Sequence, residues 1–518
     1  MRRRLSPAAL GLIAPLFNAG VAMAADHDPD AFGSTAAQEQ VSHVGDVSDI
    51  QPTDWAYQAL RNLIERYGCV SGDPGGLFTG GRAISRYEAA ALLDACLERI
   101  STATDEVKAL VAAFANERAT LQGRANALTA RVGMLDAQQF STTTTFSVEA
   151  NMVVGANQFS GSANDLITTS RNNYGATTFN YDIRISLNTS FNGQDLLHTR
   201  LRAGNFDIAS NSFYGAGPSR LSQLEVAFEQ FEGDSIVAID RLYYKFPLGQ
   251  FTFILGAIVE QDDMLAMYPS IYPNSTVLDM FTMAGTPVSY DFNLGPGAGL
   301  WWKQDAWSLS LSYIAQDGFI GNPGLGGIGT QSSRASTTVQ LGYQKDQWGL
   351  ALIYTAIQGE VYPYSTNFLQ TSLSRPGLFQ TVGLSGYWQP QNSGWLPSIS
   401  AGAEITQFDY SPTATRPNDS VAANSVAWSV GLQWLDVLSA GNAAGLALGQ
   451  APHAINLLNG GGVNDTNWMW EWWFKLQISD SISVTPALFY LWRPLGQDTP
   501  AGQSFNQVGA LIKTQFRF

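Results

Sequence analysis

The chain is 518 residues long, with 14% charged and 12% aromatic residues and a formal net charge of −15. That balance excludes a generic nucleic-acid binder, whose footprint is basic, and the charged share lies well below the roughly 25% of ordinary soluble domains. Beyond the N-terminus no stretch approaches the roughly 18–20 apolar residues of a spanning helix, so any membrane crossing has to be made by strands.

Met1 to Ala24 reads as a secretory signal peptide. Arg2, Arg3 and Arg4 form its charged start, Ala8 to Val21 is a short apolar run broken by Pro15, and Ala22-Met23-Ala24 is a cleavage signature. The mature chain is expected to start near Ala25, and residues 25–44, which lack periodicity, read as a linker.

Residues 45–100 read as a small helical module. Trp55, Ala59, Leu60, Leu63 and Ile64 recur at helical spacing, and Ser85 precedes a second helix carrying Ala89, Leu92, Leu93, Cys96 and Leu97. The two cysteines, Cys69 and Cys96, both fall here. In an exported chain a disulfide is the default, with two buried thiols as the alternative.

Asp46-Val47, Trp55-Ala56, Leu60, Gly68, Phe78 and the run Ile84-Ser85-Arg86-Tyr87-Glu88-Ala89-Ala90 make this segment resemble an S-layer homology domain. The glycine-rich stretch Gly72-Asp73-Pro74-Gly75-Gly76 departs from the usual loop. The resemblance implies binding to cell-wall polysaccharide, with Trp55, Arg86 and Glu88 as the binding candidates. A guanidinium at Arg86 would suit an anionic sugar substituent. The alternative is that Arg86 and Glu88 only support the local fold.

Residues 101–139 carry a heptad. Val107, Phe114, Leu121, Leu128 and Leu135 recur every seven residues, and Val111, Ala125 and Val132 fill the second seam position. Four repeats predict a coiled coil. Such a helix would span about 55 Å at 1.5 Å per residue. An amphipathic helix packed on its own domain is the alternative.

From Ser141 the period changes to two. Phe179, Tyr181, Ile183, Ile185 and Leu187 interleave with Asn180, Asp182, Arg184 and Ser186. Trp468, Trp470, Trp472 and Phe474 oppose Glu471 and Lys475. In Phe505 to Phe518, Val508, Ala510, Ile512, Thr514 and Phe516 share one parity, and Gln507, Lys513, Gln515 and Arg517 the other. Successive strand residues point to opposite faces. Short turns such as Gln304-Asp305 and Lys345-Asp346 alternate with long Gly- and Pro-rich connections such as 318–333. The reading is mainly β. Residues 141–518 form a transmembrane antiparallel β-barrel of about sixteen strands, with eighteen as the alternative, preceded by the α-helical module and the coiled-coil helix.

Arg184, Arg200, Arg202, Arg241 and Lys245 share the polar parity of three consecutive strands and are the pore-lining candidates. A guanidinium row on one wall gives a local positive potential. Pairing with Asp182, Asp207 and Asp240 is the alternative. From Ser141 onward the chain has 16 basic and 27 acidic residues, a net of −11. Presumed loop acids such as Glu225, Asp262 and Asp263 would favour cations, so the sign of selectivity stays open. Four scattered histidines, and no G-x-S-x-G or phosphate loop, give no catalytic residue, cofactor or metal site. The chain is not expected to be an enzyme.

Signal peptide, S-layer homology domain, coiled coil and barrel, in that order, resemble the major outer-membrane porins of cyanobacteria. The barrel is similar to the carbohydrate-selective porin family, most visibly at Arg241-Leu242-Tyr243-Tyr244-Lys245-Phe246-Pro247-Leu248-Gly249. The resemblance implies an outer-membrane location with the N-terminal domain in the periplasm. It implies passive diffusion of inorganic ions, iron among them, or of small carbohydrates. The partners it implies are outer-membrane lipid, peptidoglycan-linked polysaccharide and two further copies of the chain in a homotrimer, with no nucleic acid. Phe518 resembles the terminal aromatic that signals barrel assembly in that class. The competing reading is a structural tether between outer membrane and wall with a narrow or closed pore.

Overall fold

The structure is a computed structural model that describes residues 50–67, 69, 83–97, 99–100, 104–138, 143–230, 233–273, 277–290, 293–360, 364–391 and 394–518. The signal peptide (1–24) and linker (25–44) lie outside the described residues. The chain divides into two compact units, 1–139 and 140–518.

In the first unit, helix Trp55–Tyr67 buries Ala59, Leu60, Leu63 and Ile64 along one stripe. Helix Arg86–Leu97 buries Ala89, Ala90, Leu93 and Cys96 against it. Ser85 starts the second helix through a reciprocal cap. The Glu88 amide donates to Ser85 Oγ at 3.2 Å, and the Ser85 amide donates to Glu88 Oε2 at 2.8 Å. Two of the orphan donors of a helix start are satisfied in this way. Cys69 and Cys96 are disulfide-bonded with Cα atoms 4.7 Å apart, which staples a core too small to be generous on its own.

The coiled-coil expectation for 101–139 is corrected in its first half. The region folds as helices Asp105–Ala113 and Ala115–Gln138, separated at Phe114, which has φ −113° and ψ 20°. Val107, Leu110 and Phe114 are buried in the core of the helical module, and Leu121 packs against it. The first half of the heptad stripe, from Val107 to Leu121, covers its own domain. Of the seam positions with described side chains, Leu128 stands 65% exposed.

The second unit is a closed antiparallel barrel of sixteen strands, β1 to β16 in chain order, with β16 hydrogen-bonded to β1. The strands are β1 (Thr144–Gly161), β2 (Thr178–Thr189), β3 (Leu196–Gly204), β4 (Ala238–Leu248), β5 (Phe251–Glu260), β6 (Leu294–Gln304), β7 (Trp307–Ala315) and β8 (Ala335–Lys345). They continue as β9 (Trp348–Gly359), β10 (Gly377–Trp388), β11 (Ser398–Tyr410), β12 (Ala422–Leu435), β13 (Ala443–Leu457), β14 (Trp468–Ser479), β15 (Ile482–Trp492) and β16 (Phe505–Arg517).

Closure leaves no open sheet edge, because each strand is hydrogen-bonded to a neighbour on both sides. The parity read from the sequence holds. Leu350, Leu352, Trp470, Trp472, Val508 and Ile512 are exposed on the outer wall, where a bilayer would cover them. Gln340, Thr355, Glu471, Gln507 and Lys513 are buried inside. At one end the turns are short. Asp305 and Asp346 take φ of 52° and 47° there, a left-handed conformation that Asp tolerates better than most residues.

The long connections lie at the other end. The described parts of two of them, 205–237 and 261–293, turn into the lumen. Phe206, Phe213, Leu221, Leu224, Leu278 and Phe281 pack with the inward residues Val153, Trp473, Phe489 and Leu511 in one core cluster. The two connections also meet each other. The Glu225 amide donates to the Val277 carbonyl at 3.1 Å and the Asp279 amide to the Gln223 carbonyl at 3.0 Å. Loops that stayed in water would have no reason to carry so many large apolar side chains.

Candidate functional site: the charged half of the lumen

The inner wall has two chemically different sides. On β7 to β11 it presents buried hydroxyls, including Ser310, Thr338, Thr381, Ser385 and Ser400. The 261–293 connection lies against this side. The Ala266 amide donates to Ser310 Oγ at 2.9 Å and the Tyr272 amide to Ser400 Oγ at 3.0 Å. Thr286 and Ser385 hydroxyls lie 3.2 Å apart, and Gln340 Nε2 donates to the Tyr290 hydroxyl at 2.7 Å. The hydroxyl side is therefore covered, and the charged side, on β2 to β4, faces the remaining space.

That space is a cavity of about 680 Å³, within the size range of sites for small solutes. Arg184, Arg200, Arg202 and Arg241 line it from the wall. Cross-strand register places Arg184 opposite Arg202 and Arg200 opposite Arg241. Like charges in such pairs repel, and carboxylates sit between them. Asp182 accepts from Arg184 Nε at 2.9 Å and from Arg202 Nε at 2.6 Å. Arg200 pairs with Asp240 at 2.5 Å. Arg241 is held by Asp240, Glu260 and Asp263 together. Arg184 also reaches Glu225 at 3.0 Å. Burial makes each such pair costly to form and more costly to break by removing one partner.

Of the alternatives open at the sequence level, the structure gives the paired one for all four arginines. Asp182 and Asp240 are partners as expected, whereas Asp207 bonds Ser210 and the Ala209 amide instead. Lys245 is not among the cavity residues. Its Nζ lies 5.8 Å from the Trp301 ring, nearer the short-turn end.

Alternation alone cannot put Asp240 and Arg241 on one face. The register slips between Arg200 and Leu201 of β3, and the bulge leaves Asp240 unpaired and inward beside Arg241. Glu225, Asp262, Asp263 and Asp279 also line the cavity, although they belong to connections that a sequence reading puts outside. Their signal was the apolar company they keep, at Leu224, Leu278, Met280 and Phe281. Two buried polar atoms in the cavity have no hydrogen-bond partner among the described residues, Arg202 Nη2 and Glu225 Oε2. The Arg202 guanidinium lies 4.3 Å from the Phe228 ring centroid.

A second hollow, of about 670 Å³, lies outside the lumen. Gly386, Ala401 and Ala403 leave it between Leu350, Trp388 and Trp428. It has almost no polar lining, so it belongs to the lipid-facing wall and not to the solute path.

In the helical module, Arg86 is engaged internally. It donates from Nε to Glu117 Oε1 at 2.5 Å and from Nη2 to the Ala113 carbonyl at 2.6 Å, and it covers the Phe114 ring at 5.2 Å. Glu88 is the cap residue described above. Trp55 is 57% exposed. Burial opposes ionisation of Glu117, but its bonds from Arg86 outweigh that and hold the carboxyl below its usual 4.5. A depressed folded value stabilises above the unfolded value and is lost as pH falls through the folded one. The module is thus expected to keep its stability from pH 7 to about 5 and to lose Glu117's share below about 4.5. Arg86→Gln should remove that part of the acid sensitivity while lowering stability at pH 7. Pulse proteolysis of the full chain across this pH range, for parent and variant, measures both effects.

The family described as carbohydrate-selective porin, OprB family, matches residues 105–518. The S-layer homology domain matches residues 48–90. An uncharacterized protein of Nostoc sp. is 32% identical over 93% of this chain and 86% of its own length. An uncharacterized protein of Synechocystis sp. is 28% identical over 92% and 91%. Among solved structures, Pseudomonas putida OprB at high pH is 14% identical, with a TM-score of 0.47 over 75% of this chain and 96% of that one. Vibrio cholerae OmpT is 9% identical, with a TM-score of 0.43 over 74% and 100%. The family match spans the whole barrel and the helices before it, and the chain belongs to the carbohydrate-selective porin, OprB family, as an outer-membrane porin with an S-layer homology domain.

Proposed function

We propose that the barrel passes small neutral polyhydroxylated solutes, with monosaccharides as the class that fits best. The observation that carries this reading is the pairing of all four cavity arginines with carboxylates. A wall of paired charges offers alternating donors and acceptors and little net pull on an anion. The guanidinium and carboxylate groups that line the cavity supply donors and acceptors for solute hydroxyls. Phe228, Tyr268 and Tyr272 bring ring surface to the same cavity. The family description supports a carbohydrate. Inorganic ions, iron included, would pass as a leak through the same path. Liposome swelling with the purified protein tests the reading. Monosaccharides should enter faster than zwitterionic or anionic solutes of equal size, and equal rates for all three would remove the sugar preference.

We further propose that the helical module tethers the outer membrane to wall polysaccharide from the periplasm, with exposed Trp55 as the contact residue. Arg86 and Glu88 then serve mainly to shape the module. The reading of the chain as mainly a tether draws on the two connections that meet across the lumen. Planar-bilayer conductance separates the readings, because a pure tether carries no current.

Phe518 is proposed as an assembly residue. Its backbone pairs with Val148 in both directions, at 2.7 and 3.1 Å, and its side chain is 73% exposed. Deleting it is expected to cut the outer-membrane yield several-fold and leave single-channel conductance unchanged. A normal yield under strong expression would contradict this.

A further inference from the structure

Glu404 on β11 and Glu471 on β14 are both buried. Both reach from the wall to the connection inside the lumen. Glu404 Oε1 accepts from the Val288 amide at 2.9 Å. Its Oε2 accepts from the Ser289 amide at 2.7 Å and from Ser289 Oγ at 2.8 Å. Glu471 Oε1 accepts from the Tyr272 hydroxyl at 2.8 Å, and Oε2 accepts from the Leu278 amide at 2.7 Å. The two anchor points bracket the stretch that carries Asp279, Thr282 and Met283 into the cavity.

We propose that Glu404 and Glu471 are positioning residues of the channel: two carboxyl clamps that hold residues 272–273 and 277–289 against the wall and so keep the conducting cross-section constant. The chemistry favours a carboxylate at both sites. Burying a charge is expensive, and an apolar residue would be cheaper for stability alone. A carboxylate accepts several bonds at once, and bonds to a charged acceptor are about twice as strong as neutral ones. At Glu404 both oxygens receive a backbone N–H. An amide there must point its own N–H at one of them, whichever way it turns. At Glu471 an amide could still accept from Leu278 and donate to the Tyr272 hydroxyl, so Glu404 is the less replaceable clamp. The proposal needs only that the barrel conducts, and is independent of which solute it prefers.

The test is single-channel recording of the full chain in planar bilayers. Glu404→Gln should add brief partial closures at least fivefold more often than in the parent, as the stretch 277–289 leaves the wall and enters the free lumen. Glu471→Gln should show a smaller increase. Glu404→Asp, which keeps the charge with a shorter reach, serves if Glu404→Gln fails to assemble, and should show an intermediate frequency. Ser289 Oγ lies 2.9 Å from Thr381 Oγ1, so Ser289→Cys with Thr381→Cys can bridge the segment to β10. Oxidising that pair in the Glu404→Gln background should abolish the closures, and reduction should bring them back. A residue that mattered only for stability would not give closures that switch with this bond. Steady single-level conductance in the Glu404 variants, or closures indifferent to oxidation of the pair, overturns the proposal.

Discussion

Replacing Arg200 and Arg202 together with Gln is expected to raise the cation-over-anion permeability ratio by about tenfold, on the scale of electrostatic focusing in a charged cleft. Arg200 neutralises Asp240, and Arg202 shares Asp182 with Arg184. With both cations gone, Arg184 and Arg241 alone face Asp240, Glu225, Glu260, Asp262, Asp263 and Asp279 around one cavity, and Asp182 keeps only Arg184. The barrel should still assemble, because the change also removes two like-charged cross-strand contacts, Arg184 with Arg202 and Arg200 with Arg241. Reversal potentials in a salt gradient measure the shift. It should be largest near 0.1 M salt and shrink toward 1 M, where the screening length falls from about 10 Å to about 3 Å. An unchanged reversal potential would show that current does not pass these side chains. It would also remove the cavity from the solute path, and with it the sugar reading.

The barrel was legible in the sequence because lipid and lumen impose opposite chemistry on successive residues. Leu350, Leu352 and Tyr354 against Ala351, Ile353 and Thr355 show where that code weakens. The inner members of β9 are half apolar because a connection, not water, covers them. Parity still gave the right face, since Leu, Leu and Tyr point out. The same parity puts the four arginines on the inner wall. Their pairing with Asp182 and Asp240 was one of two open readings, and the sequence did not decide between them. Asp240 reaches the lumen only because a bulge breaks the alternation, and a bulge leaves no mark in a period-two pattern. Glu225, Asp262 and Asp263 were visible as acids but placed in an outer vestibule. Their connections fold inward through long-range bonds such as Tyr272 to Ser400 and to Glu471, which no local pattern encodes. The cover over the first half of the heptad, from Val107 to Leu121, was hidden for a related reason. A seven-residue apolar stripe states that a face is buried, not by what, and the module supplied the cover through Arg86, Phe114 and the Arg118–Asp94 pair.

The second large effect is expected in the helical module. Replacing both cysteines with serine should destabilise it by about 3.5 kcal/mol, from the loop-closure entropy of a crosslink of this span. The bridge joins positions 27 residues apart, and the chain between them includes the glycine-rich stretch, which has much conformational freedom to lose. The module has few other reserves. Its core is a single cluster built on Leu60, Leu63, Ile84, Leu93 and Phe114, and a module of this size is marginal on core burial alone. The bridge sits inside that cluster, with Cys69 and Cys96 both buried, so serine also places two hydroxyls among apolar neighbours. Each is penalised unless it finds a bond. The barrel should be untouched, because it is a separate compact unit with its own closed hydrogen-bond ring. The expected result is a full chain with parental conductance and heat-resistant barrel mobility, but with residues 50–138 cut by protease at denaturant concentrations the parent withstands. Equal resistance of the variant and the parent in that range would show that the helical packing around Phe114 holds the module without its staple.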